Sequence, residues 1–264
     1  MSSPLTLAER HRKRQIALSS EALKQITPLW ALLRAGVDPD DPTSVLDWSD
    51  AVMVAILSGR QQSTTAAHSY YEAAKKLEFG STAEAPVLDD IQTTPNTERL
   101  RTSLLAVGPG LYRQRVIRGD DPELAIRKAQ AATLGASVRH VLDGGRSLID
   151  SATRTDGQAL GWTRVTDGNP CAFCAMLATR ASSVLYASRT SAITASGARG
   201  NRAQGSRYHD NCRCTAMPVF TPDFELPPDV DKWDQLYSEV TKGHSGKDAL
   251  NAFRRAFEAQ KREH

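Results

Sequence analysis

All four cysteines of this chain fall between positions 171 and 214, and that clustering constrains its fold more than any other feature. They form a Cys-x2-Cys pair, Cys171 and Cys174, and the end of a His-x2-Cys-x-Cys run, His209, Cys212 and Cys214. Two thiols separated by two residues can grip one ion from the same side when the backbone turns tightly. The turn dipeptides Asp167-Gly168 and Asn169-Pro170 stand directly before the first pair. The His-x2-Cys pair can do the same from the far end of the loop. Zinc takes four soft or borderline ligands in a tetrahedron, so five candidates compete for four places. The spacing favours Cys171, Cys174, His209 and Cys212, with Cys214 as a substitute or spare. Paired disulfides, a thioredoxin-like redox motif and unrelated buried cysteines are the competing readings. A reducing cytoplasm argues against the first, and the lack of a βαβ pattern around Cys171 and Cys174 argues against the second.

The expected site is structural. A catalytic zinc keeps an open position and a general base nearby, whereas thiolates here are numerous enough to close the shell. Asp210 is the only acid between Cys171 and Cys214, and position 211, where a zinc deaminase would carry Glu, is Asn. No nucleophile elbow and no phosphate-binding P-loop occurs in the chain. The expectation is therefore a protein that is not an enzyme. His68 and His140 fall inside expected helices and read as structural or exposed.

Ahead of the cluster, the chain reads as helical. One helix is expected from Leu5 to Leu33 with an interruption near Pro28, and a second from Thr43 to Phe79 with a break at Gly59. Leu46, Val52 and Ile56 fit a buried stripe of the second. Residues 80–96, with Gly80, Pro86 and Pro95, read as a connector. A third helix starts near Asn96. A fourth starts at Asp121-Pro122-Glu123, which sets an acid at the cap and a proline in the first turn. Leu134, Val138, Val141 and Leu142 continue one face of it, Gly144-Gly145 weakens or bends it, and Ser147 to Thr153 resumes it.

After Thr155 the character changes. Leu160 to Thr166 and Cys214 to Phe220 read as short strands. Ala181 to Ser206, rich in Ser, Ala, Thr, Gly and Arg, reads as a long excursion. No Asp or Glu lies between Gly168 and His209, while Arg180, Arg189, Arg199, Arg202 and Arg207 do, so this stretch is a candidate contact to a DNA backbone. The alternative is a solvated loop. The net charge of +3 gives no support by itself to nucleic-acid binding. His11 to Arg14 is a second basic cluster, read as an exposed helix face.

The run Gly161-Trp162 to Asp167-Gly168-Asn169-Pro170-Cys171-x2-Cys174, followed by Tyr208-His209-Asp210-Asn211-Cys212-Arg213-Cys214-Thr215-Ala216-Met217-Pro218-Val219, resembles the phage Mu F-like minor capsid proteins, or phage head morphogenesis proteins. The likeness covers residues 155–220, and the two halves are specific only in combination. It implies a low-copy virion component, assembled in the bacterial host cytoplasm and packaged with the procapsid through portal or other capsid proteins. Some relatives contact double-stranded DNA. The long excursion over residues 182–206 departs from a compact shared core.

Pro222, Pro227 and Pro228 read as a stiff linker to two short helices, Val230 to Val240 and Lys247 to Arg262. Trp233 and Tyr237 in the first, and Phe253 and Phe257 in the second, lie one turn apart and are candidate anchors for a partner. The alternative is that both helices pack on their own domain. The fold expected is α+β: a mainly helical N-terminal region over residues 1–155, a small zinc-bearing α/β module over 156–221, and a helical C-terminal tail over 222–264. No signal segment and no membrane span is expected, since the longest apolar run is Ala51 to Leu57. Beside the capsid reading stand a zinc-stabilised nucleic-acid-binding protein and a zinc-linked nuclease or transferase.

Overall fold

The computed structural model of the protein describes residues 3–36, 45–87, 95–182, 185–186 and 208–263. Its largest body is a bundle of three long helices, α1 (Pro4–Gly36), α2 (Leu46–Phe79) and α5 (Pro122–Thr155). Between α2 and α5 run α3 (Thr97–Leu105) and α4 (Leu111–Ile117), joined by one wide π turn, Ala106–Gly110. Pro109 sits in that turn, where a residue without an amide proton fits better than in an α-helix. Then follow β1 (Gly161–Val165), α6 (Ala172–Ala178), β2 (Thr215–Val219), α7 (Val230–Val240) and α8 (Gly246–Glu263). Mostly helical with a small sheet, the chain is of the expected α+β class.

The helix starts follow local chemistry. The Asn96 side chain accepts a hydrogen bond from the Arg99 amide at 2.8 Å, and the Asp121 side chain accepts one from Leu124 at 2.9 Å with Pro122 beside it. The expected breaks behave differently. Pro28 lies inside an unbroken α1. On either side of it Ile26 and Trp30 are buried, and Trp30 meets Trp48 of α2 edge to face at 5.4 Å. That packing offsets the roughly 3 kcal/mol that an internal proline costs. Gly59 and Gly144-Gly145 also lie within continuous helices. They are points of close approach. A Cβ on Gly144 would stand 2.3 Å from the Arg60 carbonyl oxygen, so α5 reaches α2 only because no side chain is there. Gly145 gives its amide to Ser63 Oγ at 2.9 Å, and Ser63 in turn donates to Gln15 Oε1 at 2.5 Å, which ties the three helices by one buried polar chain. Val52 and Ile56 are buried as expected, but Leu46 is 39% exposed at the start of α2.

β1 and β2 pair antiparallel, with Gly161 opposite Val219 and Val165 opposite Thr215. Trp162 spends its backbone groups on Tyr186, in both directions at 2.9 Å, and its ring stacks on the Tyr186 ring at 4.3 Å. Trp162 and its opposite residue Pro218 are thus a pair without mutual backbone bonds, so the missing proline amide costs the sheet nothing. Both strands are buried on both faces, against the ends of α1, α2 and α5. One apolar cluster joins Tyr70, Tyr71, Leu148 and Ile149 of the bundle to Trp162, Met217 and three of the cysteines. It therefore runs across position 155.

The C-terminal helices are amphipathic as expected, but the faces read as free for a partner are covered by the chain itself. Trp233, Phe253 and Phe257 are buried, and with half-buried Tyr237 they pack on Ala172, Ala175, Ala178 and Ala181 of α6 and its following turn. Lys261 near the end of α8 donates to the Pro170 carbonyl at 3.0 Å. The prolines from 222 to 228 do not hold these helices apart from the cysteine module. The small alanine side chains of α6 admit large aromatic rings, and burying those rings is worth more than an extended linker.

Candidate metal centre

The cysteine–histidine centre is assembled from two turns. In the first, Gly168 takes a left-handed conformation, and Cys171 becomes the cap of α6, its sulfur accepting from the Cys174 amide at 3.4 Å. Cys-x2-Cys is here a helix cap and the third residue of the helix, which sets both sulfurs at one helix end. In the second, Asn211 adopts φ 64°, and the Cys212 amide donates to the His209 carbonyl at 3.1 Å. The Asn211 amide donates to the Gly135 carbonyl of α5 at 3.1 Å, so this turn is pinned to the bundle. A Cβ on Gly135 would meet the Asn211 side chain at 2.6 Å.

These turns bring all five expected donors together. His209 Nε2 lies 3.1 Å from Cys171 Sγ and 3.4 Å from Cys174 Sγ, and Cys174 Sγ lies 3.5 Å from Cys212 Sγ. The imidazole is oriented by its other nitrogen, Nδ1, at 2.6 Å from the Asp210 carbonyl oxygen, and Phe173 packs against the ring. Two overlapping triads result, Cys171–Cys174–His209 and Cys174–Cys212–Cys214, each able to hold a metal ion and sharing Cys174. Around a tetrahedral ion with bonds of usual length, sulfurs would stand about 3.8 Å apart, and a sulfur and a nitrogen about 3.6 Å apart. The three observed separations fall short of that geometry by about 0.2 to 0.5 Å, so the donors of each triad stand close enough for one ion. Cys212 and Cys214 stand just ahead of β2, and both of their sulfurs lie close to that of Cys174. Cys171 and His209 are exposed, while Cys174, Cys212 and Cys214 are buried.

The electrostatics favour the thiolate at Cys171 and Cys212 and the protonated thiol at Cys174 and Cys214. The Cys171 thiol is lowered to about 5, first by the Cys174 thiol that donates to it and then by the Cys174 amide and His209, against burial. Cys212 is also strongly lowered, by Cys174 and Cys214 as donors and by the guanidiniums of Arg146 and Arg164. Cys174 is raised, because it keeps the proton that it shares with Cys171, Cys212 and Cys214. Cys214 is raised to about 12: donation from Cys174 lowers it, but Cys212 and burial outweigh that. His209 is raised: burial opposes this, but the Asp210 carbonyl and the negative Cys171 and Cys212 prevail. A divalent cation would replace the protons that Cys174 and Cys214 retain.

Sequence reasoning missed the support under these ligands. Arg146 of α5 donates to the Cys212 carbonyl at 2.7 Å and to the Cys214 carbonyl at 2.9 Å and 3.0 Å. Its guanidinium lies 3.8 Å from one face of the Tyr208 ring, and that of Arg164 lies 3.9 Å from the Tyr208 ring. Arg164, fully buried on β1, also approaches Cys212 Sγ at 4.0 Å. Two buried cations beside a cluster of thiolates balance charge in a low-dielectric place. The one local hint was an arginine in the middle of an otherwise strand-like run, Gly161 to Val165.

Of the arginines proposed to contact DNA, Arg180 lies in the turn after α6, 6.0 Å from the Tyr186 ring. Arg189, Arg199, Arg202 and Arg207 lie outside the described residues. No helix among the described residues is long and apolar enough to cross a membrane.

A family model described as VG15 protein matches residues 3–240, a span that takes in the bundle, both turns of the centre and α7. It denotes a viral gene protein family and points to a phage protein whose role the match leaves unspecified. No curated protein and no solved structure matches the chain.

Proposed function

Because the chain belongs to the VG15 protein family, we propose that it is a minor capsid protein of a tailed bacteriophage, acting in head morphogenesis. In this reading it is made in the host cytoplasm, enters the procapsid through the portal or neighbouring capsid proteins, and ends in the virion. The observation that carries the reading is a convergence. The two stretches that resemble Mu F-like proteins, Gly161 to Cys174 and Tyr208 to Val219, meet at one centre inside the span of the family match. The ion proposed there is Zn2+, held by Cys171, Cys174, His209 and Cys212, with Cys214 beside them. Its role is proposed as structural, because the two triads share Cys174 and offer further thiolates with which a four-coordinate shell would close. The protein is accordingly proposed not to be an enzyme.

A second reading, a zinc-stabilised nucleic-acid-binding protein outside the virion, draws on the acid-free stretch between Gly168 and His209. The two are separated by following the chain through infection. Tagged protein should sediment with purified procapsids and mature heads, and Cys174→Ser should abolish its incorporation. Wild-type protein that is expressed at a normal level yet missing from both particles would reject the capsid role.

A further inference from the structure

Away from the cysteines, three helices of the bundle region each send an arginine to one cavity of about 380 Å³: Arg60 from α2, Arg99 from α3 and Arg139 from α5. Ser103, His140 and Asp143 line it as well. Converging guanidiniums repel one another, and the more so where protein displaces water. Among the described residues, Asp143 is the acid in the cavity lining. Asp143 is bound to a fourth arginine, Arg146, at 3.1 Å. Asp210, just outside, accepts from Arg139 Nε at 2.6 Å. Three arginines thus line the cavity beside one carboxylate, whose charge also reaches Arg60, and Arg99, exposed at the rim, has no ion pair among the described residues.

The remaining groups are set as hydrogen-bonding walls. Ser103 Oγ is held between Arg139 Nη2 and His140 Nε2, each at 3.2 Å. Burial, then the charge of Arg139, lowers the pKa of His140 to about 4, so near neutral pH it is an uncharged partner. Arg60 donates to the His140 carbonyl at 3.2 Å, which fixes the angle at which it enters. Planar guanidiniums arriving from three directions suit a tetrahedral oxyanion, which accepts several charge-assisted bonds at once. The buried side chains of Ile56 and Leu100 supply an apolar wall, and the space exceeds what a bare oxyanion would fill.

We infer that this cavity binds the phosphate group of a phosphate ester, carried by a free nucleotide or by a nucleic-acid strand. The inference rests on α2, α3 and α5 and does not depend on the metal or on a place in the capsid.

The experiment is calorimetric titration of the full chain at fixed ionic strength with three probes: inorganic phosphate, a deoxynucleoside monophosphate and a short DNA duplex. Arg99→Ala removes the exposed arm and should leave folding unchanged, as a thermal melt verifies. Arg255→Ala, on the exposed side of α8, removes the same charge elsewhere. Saturable binding is expected, weakened about tenfold or more by Arg99→Ala, the usual worth of a hydrogen bond to a charged group. Arg99→Lys should recover only part of it, and Arg255→Ala should change little. Binding of the monophosphate without the duplex supports a free nucleotide as source, and binding of the duplex supports a strand. Absence of saturable binding by all three probes, or equal weakening by Arg99→Ala and Arg255→Ala, overturns the inference.

Discussion

The helical bundle and the cysteine module are both buried, but burial acts on them in opposite ways. Where α1 meets α2 at His11 and Tyr70, ionisable groups give up their charge. His11 stacks on Tyr70 at 4.3 Å, and burial alone lowers His11 to about 3 and raises Tyr70. Helices α1, α2 and α5 meet through alanines, glycines and hydroxyls, and Ser63 links all three without a charge. In the module, ionised groups stay ionised because each is answered. Cys171 and Cys212 are depressed, Arg146 and Arg164 lie against Tyr208, and a divalent cation would complete the balance. The difference teaches that one protein can fill its interior either by neutralising side chains or by pairing opposite charges, and that only the second solution depends on a ligand. At the seam, Lys75 and Asp156 form a buried ion pair at 2.7 Å, with Tyr71 donating to the same carboxylate at 3.0 Å.

The largest effect that tests this contrast is metal removal. Chelation, or Cys174→Ser at the residue common to both triads, should cost more than about 4 kcal/mol, as losses of a structural ion do. The aromatic near-ultraviolet signal of Trp162 and Tyr208 should collapse while much of the helical signal of the bundle persists. Cys214→Ser should cost less than Cys212→Ser. Metal analysis finding no bound ion, with melting unchanged by chelator, would abolish the distinction between the two regions.

A smaller effect isolates the bundle. A histidine whose folded pKa is depressed gives its full contribution above its unfolded pKa, and loses it as pH falls toward the folded value. For His11, between about 6.5 and about 3, stability should therefore decline with acidification. From near pH 7 to near pH 5 the loss should be about 2 kcal/mol. His11→Phe keeps a ring over Tyr70 and should flatten that part of the pH profile. Equal slopes for the two proteins would show that the bundle does not hold His11 neutral.

The smallest effect concerns sign. Helix propensity alone says that Gly144→Ala stabilises α5 by about 1 kcal/mol. The 2.3 Å approach to the Arg60 carbonyl says that it destabilises, since overpacking against backbone costs about 1–3 kcal/mol. A net loss of about 1 kcal/mol is expected in denaturant melts, and a net gain would mean that the helices separate there freely.

The sequence by itself determined what depends on residues a few places apart. Asn96 and Asp121-Pro122 start their helices, Gly161 to Val165 and Thr215 to Val219 form strands, and the Cys-x2-Cys and His-x2-Cys spacings make two turns that each offer donors to one side. The same short range misled where a residue's partner is remote. Pro28 and Gly144 look like breaks until the facing helix is present. The aromatic faces of α7 and α8 look free until the alanines of α6 cover them. Arg146 and Arg164 carry no local sign that they clasp Tyr208 beneath the cysteines, and nothing in the chain order announces that Arg60, Arg99 and Arg139 share a cavity. Tertiary structure decided these points. Arg146 and the Cys212 carbonyl, 66 residues apart, or Tyr71 and Asp156, 85 apart, become neighbours only when the helices pack. Until then burial, and with it the energy of every charge, is undefined.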